Sequence, residues 1–207
     1  MRTRGWGGAP PADNGEARWR IIEAAMRCID RYGPTKTNLS DVATELGVTR
    51  QTVYRLFAST DDLMMAVGVT AGARFVDRMV ARVSSYTDPA EMLVECIAFT
   101  LERLPKERYL AILFAPGRIA ALPALVTSEV GFELGEALLA RLPFDWASIG
   151  IVGQRRRDLV EIYLRTLQSF ELDPGPARTR EQRRELLRRW LAPAVRACAP
   201  AIDAQAG

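Results

Sequence analysis

The chain has 207 residues, of which 48% are hydrophobic and 26% charged, as in ordinary soluble globular proteins, and no uncharged run approaches the length of a membrane span. With no histidine, the Ser/His and Cys/His catalytic arrangements and His-ligated zinc are excluded, so we expect no enzyme, metal site or cofactor. Three scattered cysteines and an N-terminal segment without an apolar stretch favour a cytoplasmic protein. The formal net charge of +3 permits a nucleic-acid partner without requiring one.

Two elements are predicted before residue 36. Residues 1–15 should form a flexible arm, and a helix should follow over residues 16–32 and end at Gly33. The apolar positions of this helix recur at steps of three and four, as on one face of an amphipathic helix: Trp19, Ile22, Met26 and Ile29.

Residues 39–57 are predicted to form two short helices across a turn at Gly47. Thr37 and Asn38 offer N-caps to the first helix and Thr49 to the second, and glycine permits the tight turn. One apolar set can pack the two helices together: Leu39, Val42, Ala43, Leu46, Val48, Val53 and Phe57.

The second of these helices has the features of a major-groove reader. Packing of the apolar set leaves Arg50, Gln51 and Thr52 at its N-terminal end, where recognition helices contact base edges. Tyr54 follows Val53 directly and cannot share its face, which favours an exposed hydroxyl. We interpret the pair as a helix-turn-helix.

A long helix is predicted after Thr60, because acidic residues occupy its first turn and no proline interrupts it before residue 89. The remaining chain predicts helices near 88–104, 106–114, 123–141, 148–172 and 179–199. The fold class is therefore all-α: a three-helix head joined by a long helix to a helical body.

Three patterns in the body favour packing or hydration over function. The arginine run at 155–157 is typical of a solvated or ion-paired helix face, and the spacing of Gly131 and Gly135 allows close helix approach. Glu129, Glu133 and Glu136 are interpreted as the hydrated side of a helix rather than as catalytic carboxylates.

The segment TNLSDVATELGVTRQTVYRLFASTDDL, residues 37–63, resembles the signature of the tetracycline-repressor (TetR) family. Two positions depart from the family pattern: Leu56 replaces a histidine or tyrosine, and Thr60 replaces a lysine, at positions that commonly bind phosphate. The resemblance implies a cytoplasmic regulator, associated with the nucleoid when bound to DNA. By this resemblance and the helix-turn-helix pattern, the expected DNA contacts are Lys36, Thr37, Thr49, Arg50, Gln51, Thr52, Tyr54 and Arg55.

The resemblance also implies a homodimer that a hydrophobic small molecule releases from a palindromic operator. Dimer contacts are expected from Leu159, Ile162, Leu187, Trp190, Leu191 and Val195, although these could instead serve the core of one chain. An effector pocket is expected among Phe75, Met79, Met92, Phe99, Phe114, Phe132, Trp146 and Tyr163, whose flexible and aromatic side chains suit irregular ligands. The alternative is a helical small-molecule-binding or scaffolding protein with weakened operator specificity.

Four segments follow from these expectations. They are an arm at 1–15, a DNA-binding domain at 16–64, an effector-binding and dimerisation domain at 65–200, and a tail at 201–207.

Overall fold

The structure, a computed structural model, describes residues 5–112 and 128–197, and at Val130 it describes the backbone alone. Within these ranges every regular element is a helix, which confirms the predicted fold class. None of these helices combines the length and the apolar character that a membrane span requires. We number the α-helices α1 (Asn14–Tyr32), α2 (Leu39–Leu46), α3 (Arg50–Tyr54), α4 (Thr60–Val83), α5 (Pro89–Arg103), α6 (Glu129–Arg141), α7 (Gly153–Leu172), α8 (Arg180–Trp190) and α9 (Ala192–Arg196).

The first of two compact units, Met1–Ala73 with Arg108–Leu113, contains α1, α2, α3 and the start of α4. Helix α2 packs on both α1 and α3. Isolated helices as short as α2 and α3 are marginal in water, so their stability depends on burying an apolar face. The buried side chains include Ile21, Met26, Ile29, Val42, Val53, Phe57 and Leu63.

Residues 108 and 109 are tied to the end of α1 within this unit. The Tyr109 hydroxyl donates to the Asp30 carboxylate at 2.6 Å, and the Arg108 guanidinium donates to the same group at 3.0 Å. Desolvation and the neighbouring Asp30 raise the pKa of Tyr109 to about 12.

Helix α1 differs from the predicted helix in two ways. It begins at Asn14, because the Asp13 side chain caps it by accepting from the Glu16 amide. Trp19, which was assigned to the apolar face, is 54% exposed, whereas Ile22 and Met26 are buried as predicted.

The second unit, Arg74–Glu107 with Phe114–Gly207, has α5 as its central helix. Helix α5 contacts α7, α8 and α9, and α6 packs on α7. Its apolar cluster includes Met79, Met92, Ile97, Leu139, Trp146, Val160, Tyr163, Leu187 and Val195.

A buried carboxylate joins the helices of this unit. Glu95 on α5 is 3% exposed and accepts hydrogen bonds from Arg184 at 2.7 and 3.0 Å and from Arg82 at 3.0 Å. Burial opposes the ionisation of Glu95, but the two arginines outweigh it and hold its pKa below the usual value.

Several predicted helix bounds in this unit are wrong, for identifiable reasons. In the described part of 106–114 the chain forms no α-helix, only short 3-10 turns at Leu104–Lys106 and Leu110–Ile112, and Pro105, which has no amide, follows the end of α5. The helix predicted at 148–172 begins at Gly153, after a left-handed Gly150, and the one predicted at 179–199 divides at Leu191. Pro193 has no amide to continue that helix.

The ends of two other helices lie within a few residues of prediction. Helix α5 corresponds to the helix predicted at 88–104 and has Asp88 as its N-cap. Helix α6 begins at Glu129, with Ser128 as its N-cap, and residues 123–127 of the predicted helix lie outside the described residues.

The patterns in the body that favoured packing are borne out. A Cβ atom on Gly135 would lie 2.4 Å from Val160 Cγ1, so α6 and α7 are as close as the small residue allows. Arg157 pairs with Glu129 at 2.8 Å and Arg156 with Glu136 at 3.2 Å, which makes two of the three arginines in the run part of an ion-paired face.

Candidate nucleic-acid interface

The turn between α2 and α3 has the geometry that the sequence predicts. Gly47 has φ 64° and ψ 28°, in the left-handed region that favours glycine, and its amide donates back to the carbonyls of Ala43 and Thr44. The Val48 amide donates to Ala43 O at 2.9 Å. These bonds end α2 and fix the direction in which α3 begins.

Both short helices begin at side-chain caps. The Asn38 side chain accepts from the amides of Ser40 and Asp41. The Asp41 carboxylate in turn accepts from the Asn38 amide at 3.0 Å, which completes a capping box. Thr49 accepts from the Thr52 amide at 3.3 Å, and the two hydroxyls are 2.9 Å apart.

Helix α3 buries one side and exposes the other. Val53 is fully buried, whereas its neighbour Tyr54 is 51% exposed, as the adjacent positions predicted. The structure brings six of the eight expected DNA-contact residues to the surface: Lys36, Thr49, Arg50, Gln51, Tyr54 and Arg55.

Two of the eight residues are placed differently. Thr52 is half-buried and lies against Thr49. Thr37 is 2% exposed, and its hydroxyl donates to the Gly33 carbonyl at 2.9 Å. The expectation that the Thr37 side chain is presented to DNA is therefore wrong for this conformation, because local hydrogen bonding keeps the hydroxyl inside the unit.

Arg18 is a residue that the sequence reasoning missed. Its guanidinium donates to the Leu56 carbonyl at 2.5 Å and lies 4.2 Å from the centre of the Phe57 ring. Arg18 thus links α1 to the segment between α3 and α4 at Leu56. Leu56 is one of the two positions that depart from the family pattern, and Thr60 is the other. A cation on the exposed face of α1 was the available signal, but its partner is 38 residues away.

An ion-paired carboxylate connects α1 to α2 beside the turn. Glu45 accepts from Arg27 at 2.9 Å and from Arg31 at 3.0 Å. The hydrogen bond from Arg27 lowers the pKa of Glu45, partial desolvation opposes this effect, and Arg31 adds to the lowering.

The side chains expected to form an effector pocket lie in the core of the second unit. Met79, Met92, Trp146 and Tyr163 belong to the apolar cluster, and Phe99 and Phe132 pack against it. The Phe75 ring contacts that of Phe99 at a tilt of 50°, with 5.3 Å between the ring centres. Phe114 lies outside the described residues. The enclosed void beside Tyr163 measures only about 10 Å³, and an open cleft of about 400 Å³ borders Trp146 and Arg156.

The side chains expected at a dimer interface divide into two groups. Trp190 is 74% exposed and Ile162 is 50% exposed, whereas Leu159 and Leu191 are half-buried. Leu187 and Val195 are buried within the chain itself, so their assignment to an interface is corrected to the core.

Comparisons with known proteins point to one family. The sequence model described as "Bacterial regulatory proteins, tetR family" matches residues 21–67. An HTH-type transcriptional regulator of Mycobacterium tuberculosis is 27% identical over 178 residues, covering 85% of this chain and 84% of the relative.

Two solved structures have a fold similar to that of this chain. The tetR-family repressor AlkX from Dietzia sp. shares the fold, with a TM-score of 0.56 and 21% identity over 88% of this chain and 97% of its own. The multidrug binding protein EbrR has a TM-score of 0.54 and 25% identity over 95% of this chain and 97% of its own. The matched segment contains the capped helix pair and the exposed side of α3 described above, and over this segment the chain is similar to bacterial regulatory proteins of the tetR family.

Proposed function

We propose that this regulator is a repressor that binds an inverted-repeat operator as a homodimer through the exposed side of α3. The observation that carries the proposal is the position of Arg50 and Gln51, exposed at the start of α3 while Val53 anchors its other side in the core. Arginine and glutamine are suited to bidentate contacts with guanine and adenine in the major groove. The exposed Tyr54 would donate its hydroxyl to a phosphate.

A footprint on the DNA upstream of the regulator's own gene tests this proposal. Arg50→Ala or Gln51→Ala should cost about 1–3 kcal/mol of operator binding and relax base preference. Tyr54→Phe should weaken binding to all sequences to a similar degree, because a phosphate contact carries no sequence information. Equal affinity of the wild type for native and scrambled upstream DNA would favour the alternative, a helical binding or scaffolding protein without operator specificity.

The homodimer is proposed to form through the outer faces of α7 and α8. Two-fold symmetric operators require a two-fold symmetric reader. Trp190 and Ile162 offer exposed apolar area on these helices, and half-buried Leu159 and Leu191 can add to it. Trp190→Glu should shift light scattering towards the monomer mass, whereas Val69→Glu, at another exposed apolar position, on α4, should leave the dimer intact. A wild type that is monomeric at micromolar concentration would contradict this interface.

We also propose that a hydrophobic effector releases the operator. The support is a similarity to EbrR, a multidrug binding protein whose structure has been solved with ethidium bound. That structure is 27% identical over 86% of this chain and 99% of its own, with a TM-score of 0.52. In this chain such a ligand would be bound among the apolar and aromatic side chains of the second unit. Pockets for drug-sized ligands have volumes of about 300–1,000 Å³, so binding beside Tyr163 would require the core to open.

A screen of hydrophobic compounds by thermal shift and DNA release tests the effector. A true effector should stabilise the protein and weaken operator binding together, because it must prefer the state that does not bind DNA. Phe99→Trp or Phe132→Trp should reduce both effects by filling space. Compounds that stabilise the protein without changing operator affinity would contradict the proposed release.

A further inference from the structure

The segment that joins α3 to α4 carries no positive charge of its own. From Leu56 to Ala73 the sequence contains neither lysine nor arginine, and the first turn of α4 adds two carboxylates, Asp61 and Asp62. Carboxylates repel phosphate, and proteins neutralise DNA phosphates with lysine and arginine. Any cation at this end of α3 beyond Arg55 therefore has to come from another part of the chain.

Arg18 on α1 brings a cation to this segment. Its guanidinium donates from Nη1 to the Leu56 carbonyl and lies over the Phe57 ring, as described above. The side chain is exposed, and no carboxylate of the described residues forms an ion pair with it. A guanidinium has five N–H donors, so donors remain on Arg18 that can bind an anion.

The next arginine on the same helix, Arg20, is occupied by contacts within the unit. It pairs with the Glu16 carboxylate at 2.5 Å and donates to the Ala9 carbonyl. The Ala12 amide donates to the same carboxylate at 2.6 Å. These bonds hold the chain that precedes α1 on this helix, which the expectation of a flexible arm did not include. Arg18 has no such carboxylate to neutralise its charge.

The position of the Arg18 guanidinium fits the edge of the major groove. Arg55 continues the helical backbone of α3, so Arg50 and Leu56, six residues apart, are separated by about 9 Å along its axis. The major groove is about 12 Å wide and is bordered by phosphates. When Arg50 and Gln51 face the bases as proposed, the Leu56 carbonyl is far enough away to lie beside these phosphates.

The guanidinium is held in this position before DNA binds. Phe57 is buried, and the Leu56 amide donates to the Val53 carbonyl at 3.0 Å, so the ring and the carbonyl that Arg18 contacts are both fixed by the unit. Binding a phosphate there orders fewer rotatable bonds than it would on an unrestrained surface arginine.

We propose that Arg18 of α1 is a further DNA-contact residue, whose guanidinium binds an operator phosphate at the edge of the major groove beside the C-terminal end of α3. This inference rests on the proposed operator binding by α3. It assigns to α1 a contact that depends on charge and carries no base preference.

The salt dependence of operator binding tests the contact. Each phosphate contact adds about 0.9 to the magnitude of the slope of log affinity against log salt, so Arg18→Met should lower it by about 1.8 for a bound dimer. Between 50 and 200 mM salt, the wild type should therefore lose about twelvefold more affinity than this variant. The matched control, Arg103→Met, removes an exposed arginine from the second unit and should keep the wild-type slope.

Arg18→Lys separates a phosphate contact from a structural role. Lysine keeps the charge but lacks the planar guanidinium that lies over the Phe57 ring. A phosphate contact predicts that Arg18→Lys keeps the wild-type slope. A structural role alone predicts that Arg18→Lys and Arg18→Met both weaken binding at every salt concentration and leave the slope unchanged. The melting temperatures of the two variants measure the structural contribution separately.

A cation returned to the same place should restore the contact. Leu56→Lys in the Arg18→Met protein puts an ammonium group on the residue whose carbonyl Arg18 binds, and should raise the magnitude of the slope by about 0.9 per protomer. Val69→Lys in the same protein, at an exposed position farther along α4, should not. No change in slope from Leu56→Lys would contradict a phosphate beside Leu56.

The failure of this contact and the failure of the operator proposal are distinguishable. If the wild type binds its operator specifically but Arg18→Met keeps the slope of the Arg103→Met control, Arg18 does not contact DNA. An Arg18→Lys protein with the slope of the Arg18→Met protein would likewise overturn a contact that depends on charge. A wild type without specific binding would overturn the operator proposal and, with it, the role of Arg18.

Discussion

In the first unit, α2 and α3 are short and individually capped, whereas the helices of the second unit are held by one central helix and by ion pairs between distant residues. Asn38 and Thr49 cap α2 and α3 within three residues of the amides that they bind. In the second unit, Arg184 reaches Glu95 across 89 residues of sequence. The comparison teaches that the unit proposed to read DNA has helix pairs specified by local signals, while the second unit depends on tertiary contacts that no local sequence pattern predicts.

The largest expected effect on stability comes from breaking a tertiary ion pair of the second unit. Arg184→Met leaves the buried carboxylate of Glu95 with only Arg82 as a partner, so we expect a loss of about 3–5 kcal/mol in the free energy of unfolding. Arg189→Met, at an exposed pair on the same helix, should change it by less than about 1 kcal/mol. Urea denaturation at a fixed protein concentration measures both. Equal effects of the two substitutions would mean that the buried pair does not stabilise the unit.

Close packing between α6 and α7 gives the next effect. Gly135→Ala places a methyl group against Val160, a stiff β-branched side chain, and we expect a loss of about 1–3 kcal/mol in stability. Gly72→Ala in α4 meets its nearest neighbour, Leu110 Cδ1, at an ordinary 3.8 Å and should stabilise the protein by about 0.5–1 kcal/mol. Thermal unfolding compares the two, and a neutral Gly135→Ala would show that the helices can separate without cost.

Among the described residues, one capping box begins at Asn38 in the first unit and another at Thr179 in the second, so the same kind of substitution can be compared in both units. Asn38→Ala and Thr179→Ala should each cost about 0.5–2 kcal/mol in stability, because each leaves amides of a first helical turn unpaired. Only Asn38→Ala should also weaken operator binding, since α2 supports α3. An equal loss of operator affinity in both variants would remove the functional distinction between the units.

The smallest effect concerns the surface ion pairs between α1 and α2. The pKa of Glu45 is depressed in the folded protein, so its contribution to stability is present above the unfolded value of about 4.5 and is lost as pH falls through the folded value. Glu45→Gln should therefore lower stability at pH 7 by less than about 1 kcal/mol and flatten its dependence on pH below about 4.5. Denaturation curves between pH 3 and 7 check this, and identical pH dependence in both proteins would contradict it.

The sequence predicted the first unit more fully than the second because its signals lie close together. Gly47, the caps and the alternation of Val53 with Tyr54 were visible within 20 residues, and the structure has them as expected. Thr37 was expected to contact DNA by its resemblance to the family signature, which does not predict the hydrogen bond that its hydroxyl donates to the Gly33 carbonyl. Arg18 was missed because its partner, the Leu56 carbonyl, is brought to it only by folding.

In the second unit, apolar periodicity predicted that helices exist but not what their faces contact. Leu187 and Trp190 lie three residues apart on α8, and one is buried while the other is exposed. Helix ends were displaced wherever a proline or a left-handed glycine interrupted the hydrogen bonds, as at Pro193 and Gly150. Whether a ring or a methionine side chain packs in the core or lines a pocket depends on neighbours distant in sequence.

The most direct test of operator reading by α3 is selection of bound sequences from a pool of random duplex DNA by the wild-type protein. We expect an inverted repeat whose half-site centres are separated by about one helical turn of DNA or a multiple of it. The same selection with Gln51→Ala should relax base preference within the half-sites and leave their spacing unchanged. Recovery of no preferred sequence, or of the same half-site from both proteins, would contradict the reading of the operator by α3.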